Sequence, residues 1–164
     1  MRSQRFWINI LAVALLGLSF VIILLERKDA AAVIDQQLLE SEAATDIIIR
    51  TSKDQVVLQK KNDDWFMQQP QQSKASNDRI GPLLSLLHLP QRPNYSIADV
   101  SLGELGLKPP RAVVTINSIE FSFGNLTTEG NARYVLVRDR IHLFNEMVFP
   151  LISAGPSALL PQPG

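Results

Sequence analysis

The longest apolar run in the chain is Phe6–Leu25, about 20 residues without a charge, in which only Asn9 and Ser19 are clearly polar. As a helix with a rise of about 1.5 Å per residue, this run reaches roughly 30 Å, the thickness of the hydrocarbon core of a bilayer. A helix also satisfies its own backbone hydrogen bonds in lipid. The pattern therefore predicts that residues 1–25 form a short tail and a transmembrane anchor, which contacts the lipid bilayer through residues 6–25.

An uncleaved anchor is favoured over a secretory signal, because the apolar run is longer than the roughly 7–15 residues of a signal. Charged residues at Glu26–Asp29 also separate it from the alanines that could form a cleavage site. A buried core helix, the third interpretation, is disfavoured by the same length. Lys and Arg are balanced on the two sides of the run, and the short N-terminal tail favours an N-terminus inside the cell. We predict a single-pass protein of the bacterial inner membrane with its bulk in the periplasm.

The segment after the anchor, residues 26–44, is rich in good helix formers and lacks Gly and Pro. Its apolar stripe is narrow and runs through Ile34 and Leu38. This pattern predicts a helical stalk. This stripe could contact a helix of a partner protein, and it could equally contact the protein's own domain.

Beyond residue 45 the hydrophobic pattern becomes that of short β-strands separated by turns. Residues 46–51, 55–61 and 65–67 are rich in β-branched and aromatic residues, and Ser, Asn and Asp lie between them. These signals predict an antiparallel meander. A helix is predicted over residues 77–88, with Ser76 or Asn77 as its cap. Its buried face is predicted to consist of Ile80, Leu83, Leu84 and Leu87.

The second half of the chain repeats the first in outline. Its predicted elements are a helical turn at 101–107 ended by Gly106, a hairpin of 111–117 with 119–123, a loop beginning at Gly124-Asn125, a hairpin of 132–138 with 141–144 turning about Asp139-Arg140, and a short helix capped by Asn145. Strands followed by a helix, twice, predict an α+β domain over residues 45–154 with an internal β-β-β-α duplication. Residues 155–164 are predicted to form a flexible tail.

The composition excludes several kinds of function. The chain has 16 Lys and Arg against 16 Asp and Glu, and without residues 1–25 its net charge is about −2, so it lacks the positive field that nucleic acid binding needs. It has no cysteine, which excludes disulfides and thiolate chemistry. His88 and His142 are the only histidines, and neither the GxSxG nor the GxxxxGK pattern occurs. We predict no catalytic, metal-binding or cofactor-binding residues, no cofactor, and no enzymatic activity.

A succession of short motifs carries a family resemblance: DDWFMQQP, LLSLLHL, LGELGLKPP, FSFGN and RYVLV. Over roughly residues 45–150, the chain resembles a domain-of-unknown-function family of bacterial membrane-anchored proteins. The same domain occurs in auxiliary proteins of gliding-motility-type ABC transporters. The resemblance implies a place beside a transporter-type complex and brings no catalytic residues with it. The matching positions are Trp65, Pro70, Leu105, Gly106, Leu107, Pro109, Gly124, Asn125 and Tyr134.

Each of these positions also has a purely structural interpretation. Trp65 is expected in the core, and Gly106 is expected to stop a helix. Pro109-Pro110 is expected to lead into the next strand as extended chain, and Gly124 to permit a turn with positive φ.

Three functions follow as hypotheses. The first is a non-catalytic accessory or scaffold subunit of an integral membrane protein complex. The second is a periplasmic binding module for a peptide, glycan or lipid, held at a sheet edge or near Leu105–Pro110. The third is an enzyme of unknown type, in which a pocket would bring His88 or His142 beside a carboxylate. A large apolar cavity would favour the binding-module hypothesis over the accessory-subunit hypothesis.

Overall fold

The structure, a computed structural model, describes residues 43–88 and 94–162. The predicted anchor of residues 1–25 and nearly all of the predicted stalk at 26–44 lie outside the described residues. Within those two described ranges, no helix is both long enough and apolar enough to cross a membrane.

The described chain forms one antiparallel sheet and two short α-helices, which confirms the predicted α+β class. The strands are β1 (Asp46–Thr51), β2 (Gln55–Lys61), β3 (Asp64–Gln69), β4 (Ser73–Lys74), β5 (Asn94–Ser96), β6 (Ala112–Ile116), β7 (Ile119–Leu126), β8 (Ala132–Val137) and β9 (Arg140–Asn145). The helices are α1 (Asn77–Leu84) and α2 (Phe149–Ser153), with 3-10 segments at Ser85–Leu87, Ile97–Asp99, Glu146–Val148 and Pro156–Leu159. The nine strands lie in the order β4-β3-β2-β1-β6-β7-β8-β9-β5.

The sheet consists of two meanders that meet at its centre, where β1 pairs antiparallel with β6. The predicted hairpins are present on both sides of this pairing. Three of them turn through two-residue loops whose first residue has positive φ, namely Asn62, Asn117 and Arg138. Asn adopts this conformation at a low cost, which explains two of the three positions. The turn at Arg138-Asp139 lies one residue earlier than predicted.

One face of the sheet carries the hydrophobic core. In β1, for example, Ile47 and Ile49 are buried whereas Ile48 between them is half-buried. Both helices cover this face: Ile80 of α1 and Ile152 of α2 are almost completely buried, and the Phe149 ring of α2 packs against Phe123 of β7 with 5.9 Å between centroids. The alternation along the strands therefore decides which face the helices cover.

The helix after β3 differs from its prediction in one buried position. Ile80, Leu83 and Leu87 are buried as predicted, but Leu86 is buried in place of Leu84. The α-helix tightens into a 3-10 segment at Ser85–Leu87, whose turn of three residues keeps position 86 in line with 83 and 80.

The predicted cap of this helix is confirmed in its position but not in its hydrogen bond. Ser76 occupies the N-cap position but makes no capping hydrogen bond with its side chain. The Asn77 side chain instead accepts a hydrogen bond from the Trp65 backbone N–H at 3.3 Å and donates to the Asp63 carbonyl at 3.2 Å. Asn77 therefore ties α1 to the start of β3.

The prediction of a flexible tail from residue 155 is wrong for its first part. Pro156–Leu159 forms a 3-10 segment, and Leu159 is 1 % exposed. The Leu159 carbonyl accepts a hydrogen bond of 2.9 Å from the backbone N–H of Ser76. An apolar side chain that reaches the core at the beginning of α1 holds this segment in place.

The edge strand β4 is joined to β3 by an ion pair of 2.8 Å between Lys74 Nζ and Asp64 Oδ2. The hydrogen bond from Lys74 lowers the pKa of the Asp64 carboxyl below its usual value. A carboxyl whose pKa is lower in the folded state contributes stability above its unfolded pKa and loses this contribution as the pH falls through the folded value.

We expect Lys74→Met to raise the pKa of Asp64 toward the ordinary aspartate value. A ¹³C NMR titration of the side-chain carboxyls between neutral and acid pH measures this change. Lys53→Met is the control, because Lys53 is an exposed turn residue. An Asp64 titration curve that is the same in Lys74→Met and the unmodified protein would contradict the assignment.

Candidate binding site

The helical turn predicted over residues 101–107 ends at Gly106, as predicted. Gly106 has φ +66, its N–H donates to the Gly103 carbonyl at 3.0 Å, and the Leu107 N–H donates to the Leu102 carbonyl at 2.8 Å. This pair of hydrogen bonds is the Schellman motif, which ends a helix with glycine in the left-handed conformation.

Asn125 of β7 attaches this turn to the sheet. Its backbone N–H donates to the Leu105 carbonyl at 2.7 Å, and its side-chain Nδ2 donates to the Glu104 carbonyl at 3.1 Å. Carbonyls at a helix end need such partners from outside the helix. A Cβ at Gly106 would collide with the Asn125 side chain, so the absence of a side chain at 106 allows this contact.

Gly124 has a different role from the one predicted. The sequence predicts positive φ and the start of a loop at Gly124-Asn125, but β7 continues to Leu126, and Gly124 is not among the residues with positive φ. A Cβ at Gly124 would collide with the carbonyl oxygen of Leu105. The glycine is needed because strand and turn approach closely at a register shift between Phe123 and Leu126.

The two prolines after this turn form a tight turn of their own, which corrects the prediction of extended chain at Pro109-Pro110. Leu107 and Pro110 form an isolated antiparallel bridge, and the peptide bond between Lys108 and Pro109 is cis. The next residue, Arg111, donates its backbone N–H to the Phe123 carbonyl at 2.8 Å. The turn therefore delivers Arg111 to the edge of the bulge in β7.

The Arg111 guanidinium is held in place by Asn125. Arg111 Nε donates to Asn125 Oδ1 at 2.8 Å. The two terminal nitrogens of Arg111 have no hydrogen-bond or ion-pair partner within the part of the chain that the structure describes. The guanidinium is thus oriented by one of its donors while its terminal N–H groups stay available.

Arg133 of β8 lies beside Arg111 in the same site but is fully engaged with the protein. Its side chain is 7 % exposed and forms two hydrogen bonds of 2.8 Å with the Glu146 carboxylate. Its Nη1 donates to the Gly124 carbonyl at 2.6 Å, and its guanidinium carbon lies 3.6 Å from the centroid of the Phe149 ring. Arg133 therefore fixes Gly124, Glu146 and Phe149 relative to one another.

These residues border a cavity of about 560 Å³ that is widely open to solvent. It is lined by Arg111, Asn125, Leu126, Arg133 and Phe149. Glu146 offsets the charge of Arg133, whereas no carboxylate among the described residues pairs with Arg111, so the cavity has a net positive charge. Leu126 is 42 % exposed and Phe149 is half-buried, and they provide an apolar wall beside this charge.

The other residues singled out from the sequence lie apart from the cavity lining. His88 is exposed at the end of its 3-10 segment, and His142 is buried in β9 opposite Val135. Trp65 is buried in β3 as expected, and Tyr134 is half-buried in β8. No group of three or more potential metal ligands occurs in residues 43–88 and 94–162. Among the residues that carry the family resemblance, the structure brings together Leu105, Gly106, Leu107, Gly124 and Asn125.

The sequence prediction missed both arginines of the cavity, although a signal for Arg133 was present. In β8, Arg133, Val135 and Val137 alternate with Tyr134 and Leu136. The strand period therefore places Arg133 on the same side as two buried valines, and a charged residue is rarely buried without a partner. Such an inward arginine indicates a buried acidic partner or a ligand.

Comparison with known proteins gave no match for this chain among protein families, curated proteins or solved structures. The likeness to the family of membrane-anchored domains of unknown function therefore remains a prediction, and it rests on the motifs alone.

Proposed function

We propose that this protein is a single-pass, membrane-anchored accessory subunit of an inner-membrane protein complex. Its α+β domain acts as a non-catalytic scaffold on the periplasmic face, and a transporter is one candidate for the complex. The observation that carries the proposal is the uncharged run Phe6–Leu25, which is long enough to cross a bilayer and precedes a separate domain. In a subunit of this kind, the transmembrane span contacts lipid and docks in the complex, and the domain packs on the periplasmic face of that complex.

The charged groups beside the cavity support a non-catalytic role. Arg133 and Glu146 bind each other through two hydrogen bonds, and Arg133 also binds the Gly124 carbonyl and the Phe149 ring. Both oxygens of the Glu146 carboxylate are therefore already committed to a partner within the protein.

The two halves of the sheet support the proposal of an internal duplication. Each meander begins at the centre of the sheet, with β1 or β6, and continues outward strand by strand. The first is followed by α1 and the second by α2. Each half thus has four strands followed by a helix, so the duplicated unit would be β-β-β-β-α, one strand longer than the β-β-β-α unit predicted from the sequence.

The test is purification of the tagged full-length protein from its native membranes in mild detergent, with mass spectrometry of the proteins that accompany it. We expect a stoichiometric integral membrane partner that is absent when residues 1–25 are exchanged for an unrelated transmembrane segment. A reporter fused to the C-terminus checks the orientation, and we expect a periplasmic signal. Recovery of the protein alone with its anchor intact, or a cytoplasmic reporter signal, would contradict the proposal.

A second candidate function is a periplasmic binding module, and the cavity beside Arg111 favours it. The cavity combines an oriented cation with the exposed Leu126 and the half-buried Phe149, and its volume lies within the range of small-molecule sites, roughly 300–1,000 Å³. The two functions are compatible, because an accessory subunit can also hold a ligand.

A further inference from the structure

We propose that the cavity beside Arg111 binds the oxyanion of a small amphiphile, a phosphate or carboxylate attached to an apolar chain. This inference deepens the binding-module candidate and does not depend on a membrane partner. Arg111 binds the oxyanion, and Leu126 and Phe149 contact the apolar part.

The orientation of Arg111 is the first argument for an oxyanion. A guanidinium presents its donors in a rigid plane that matches two oxygens of a carboxylate or phosphate. Arg111 uses Nε on Asn125 Oδ1, and Asn125 in turn is fixed by the carbonyls of Glu104 and Leu105. Because this hydrogen bond restricts the exposed Arg111 side chain, binding an oxyanion with its terminal nitrogens requires less ordering than it would for an arginine without such a bond.

The charge balance is the second argument. Two arginines and one nearby carboxylate, Glu146, surround the cavity. Glu146 is directed at Arg133 by both of its oxygens, which leaves the positive charge of Arg111 uncompensated among the described residues. A ligand with about one negative charge would balance it.

The apolar wall is the third argument, and it favours an amphiphile over an inorganic anion as the ligand. Leu126 follows the bulge of β7 and is 42 % exposed, although the other apolar residues of this strand are buried. The Phe149 ring is fixed between Arg133 and Phe123. An exposed leucine and a fixed ring beside an oriented cation provide a contact surface for an apolar chain.

The experiment uses the full-length ¹⁵N-labelled protein in uncharged maltoside micelles. Its probes are n-butyl phosphate, inorganic phosphate and butanol, and the readouts are the Arg111 Nε–H and the Asn125 and Leu126 backbone amides in NMR spectra. We expect butyl phosphate to shift these signals with saturation and inorganic phosphate to bind about tenfold more weakly, since part of the butyl chain is removed from water. We expect butanol to have no saturable effect on Arg111.

Matched variants identify the residues involved. We expect Arg111→Gln to weaken butyl phosphate binding by about tenfold or more, and Arg79→Gln, which changes an exposed arginine of α1, to leave it unchanged. Leu126→Ser should reduce the preference for butyl phosphate over inorganic phosphate and keep the response to phosphate. This variant changes an exposed side chain, so it tests the proposal even where Arg111→Gln does not fold.

Three outcomes would overturn the proposal: no saturable shift with butyl phosphate, equal binding by Arg111→Gln, or equal affinity for inorganic and butyl phosphate. If binding fails while a membrane partner still accompanies the protein, only the cavity proposal is lost.

The source of the oxyanion is tested in nanodiscs. A shift at Arg111 in phosphatidylglycerol discs and not in phosphatidylcholine discs identifies a membrane lipid, and a shift only after butyl phosphate is added identifies a soluble ligand; each supports the proposed class.

Discussion

Gly124→Ala is expected to destabilise the folded domain by about 3 kcal/mol, at the upper end of the usual effect of overpacking. The added Cβ would collide with the Leu105 carbonyl oxygen and would lie 3.0–3.1 Å from the Leu107 side chain. The turn and β7 would have to separate, which would weaken the hydrogen bond from the Asn125 N–H to Leu105. Chemical denaturation of the full-length protein in uncharged micelles, followed by circular dichroism, measures the free energy of unfolding.

Gly81→Ala is the matched control for this substitution. Gly81 lies in α1, and a Cβ added there would have no atom within 4 Å apart from its chain neighbours and the backbone of its own helix. Alanine in a helix interior is more favourable than glycine by roughly 0.5–1 kcal/mol, but a Cβ on the residue before Pro82 opposes the helical conformation, so we expect a change in stability of less than about 1 kcal/mol in either direction. If both alanine variants had the same stability as the unmodified protein, the close approach at Gly124 would not be required.

The strands were largely predictable because their signals are local. Three consecutive isoleucines indicate β1, and the alternation of Val56 and Leu58 with Val57 indicates β2. Asn62 and Asn117 suit the tight loops between strands. The pairing of β1 with β6 could not be read in the same way. It joins Ile47 to Ile116, which are far apart in the sequence. Nothing in the residues of either strand specifies that the other strand is its neighbour.

The candidate site was predictable only in part for the same physical reason. Gly106 was predicted correctly, because the hydrogen bonds that end its helical turn lie within six residues. The role of Gly124 depends on the Leu105 carbonyl, which belongs to a distant segment, and Leu159 is buried against the start of α1. These roles arise from contacts between segments, so the local sequence around each residue does not contain them.

Arg133→Met is expected to destabilise the domain by about 3 kcal/mol, the lower end of the usual effect of removing one partner of a buried ion pair, because the Glu146 side chain is 27 % exposed. The substitution keeps an unbranched apolar side chain against Phe149, but it leaves the Glu146 carboxylate without its two hydrogen bonds and the Gly124 carbonyl without its donor. An unpaired carboxylate at this position is costly because it has lost its partner while most of the side chain stays away from water. The same denaturation measurement gives this difference.

Arg50→Met is the control that separates burial from charge. The Arg50–Glu120 pair has side chains that are 50 % and 56 % exposed, against 7 % and 27 % for Arg133 and Glu146. Water and salt screen the exposed pair, so its loss should change the unfolding free energy by less than about 1 kcal/mol. We expect the double variant Arg133→Met/Glu146→Leu to recover part of the loss, because it removes the unpaired carboxylate. Equal effects of Arg133→Met and Arg50→Met would contradict a structural role for the buried pair. In that case Arg133 would not be a rigid neighbour of Arg111, and Asn125 alone would hold the Arg111 side chain.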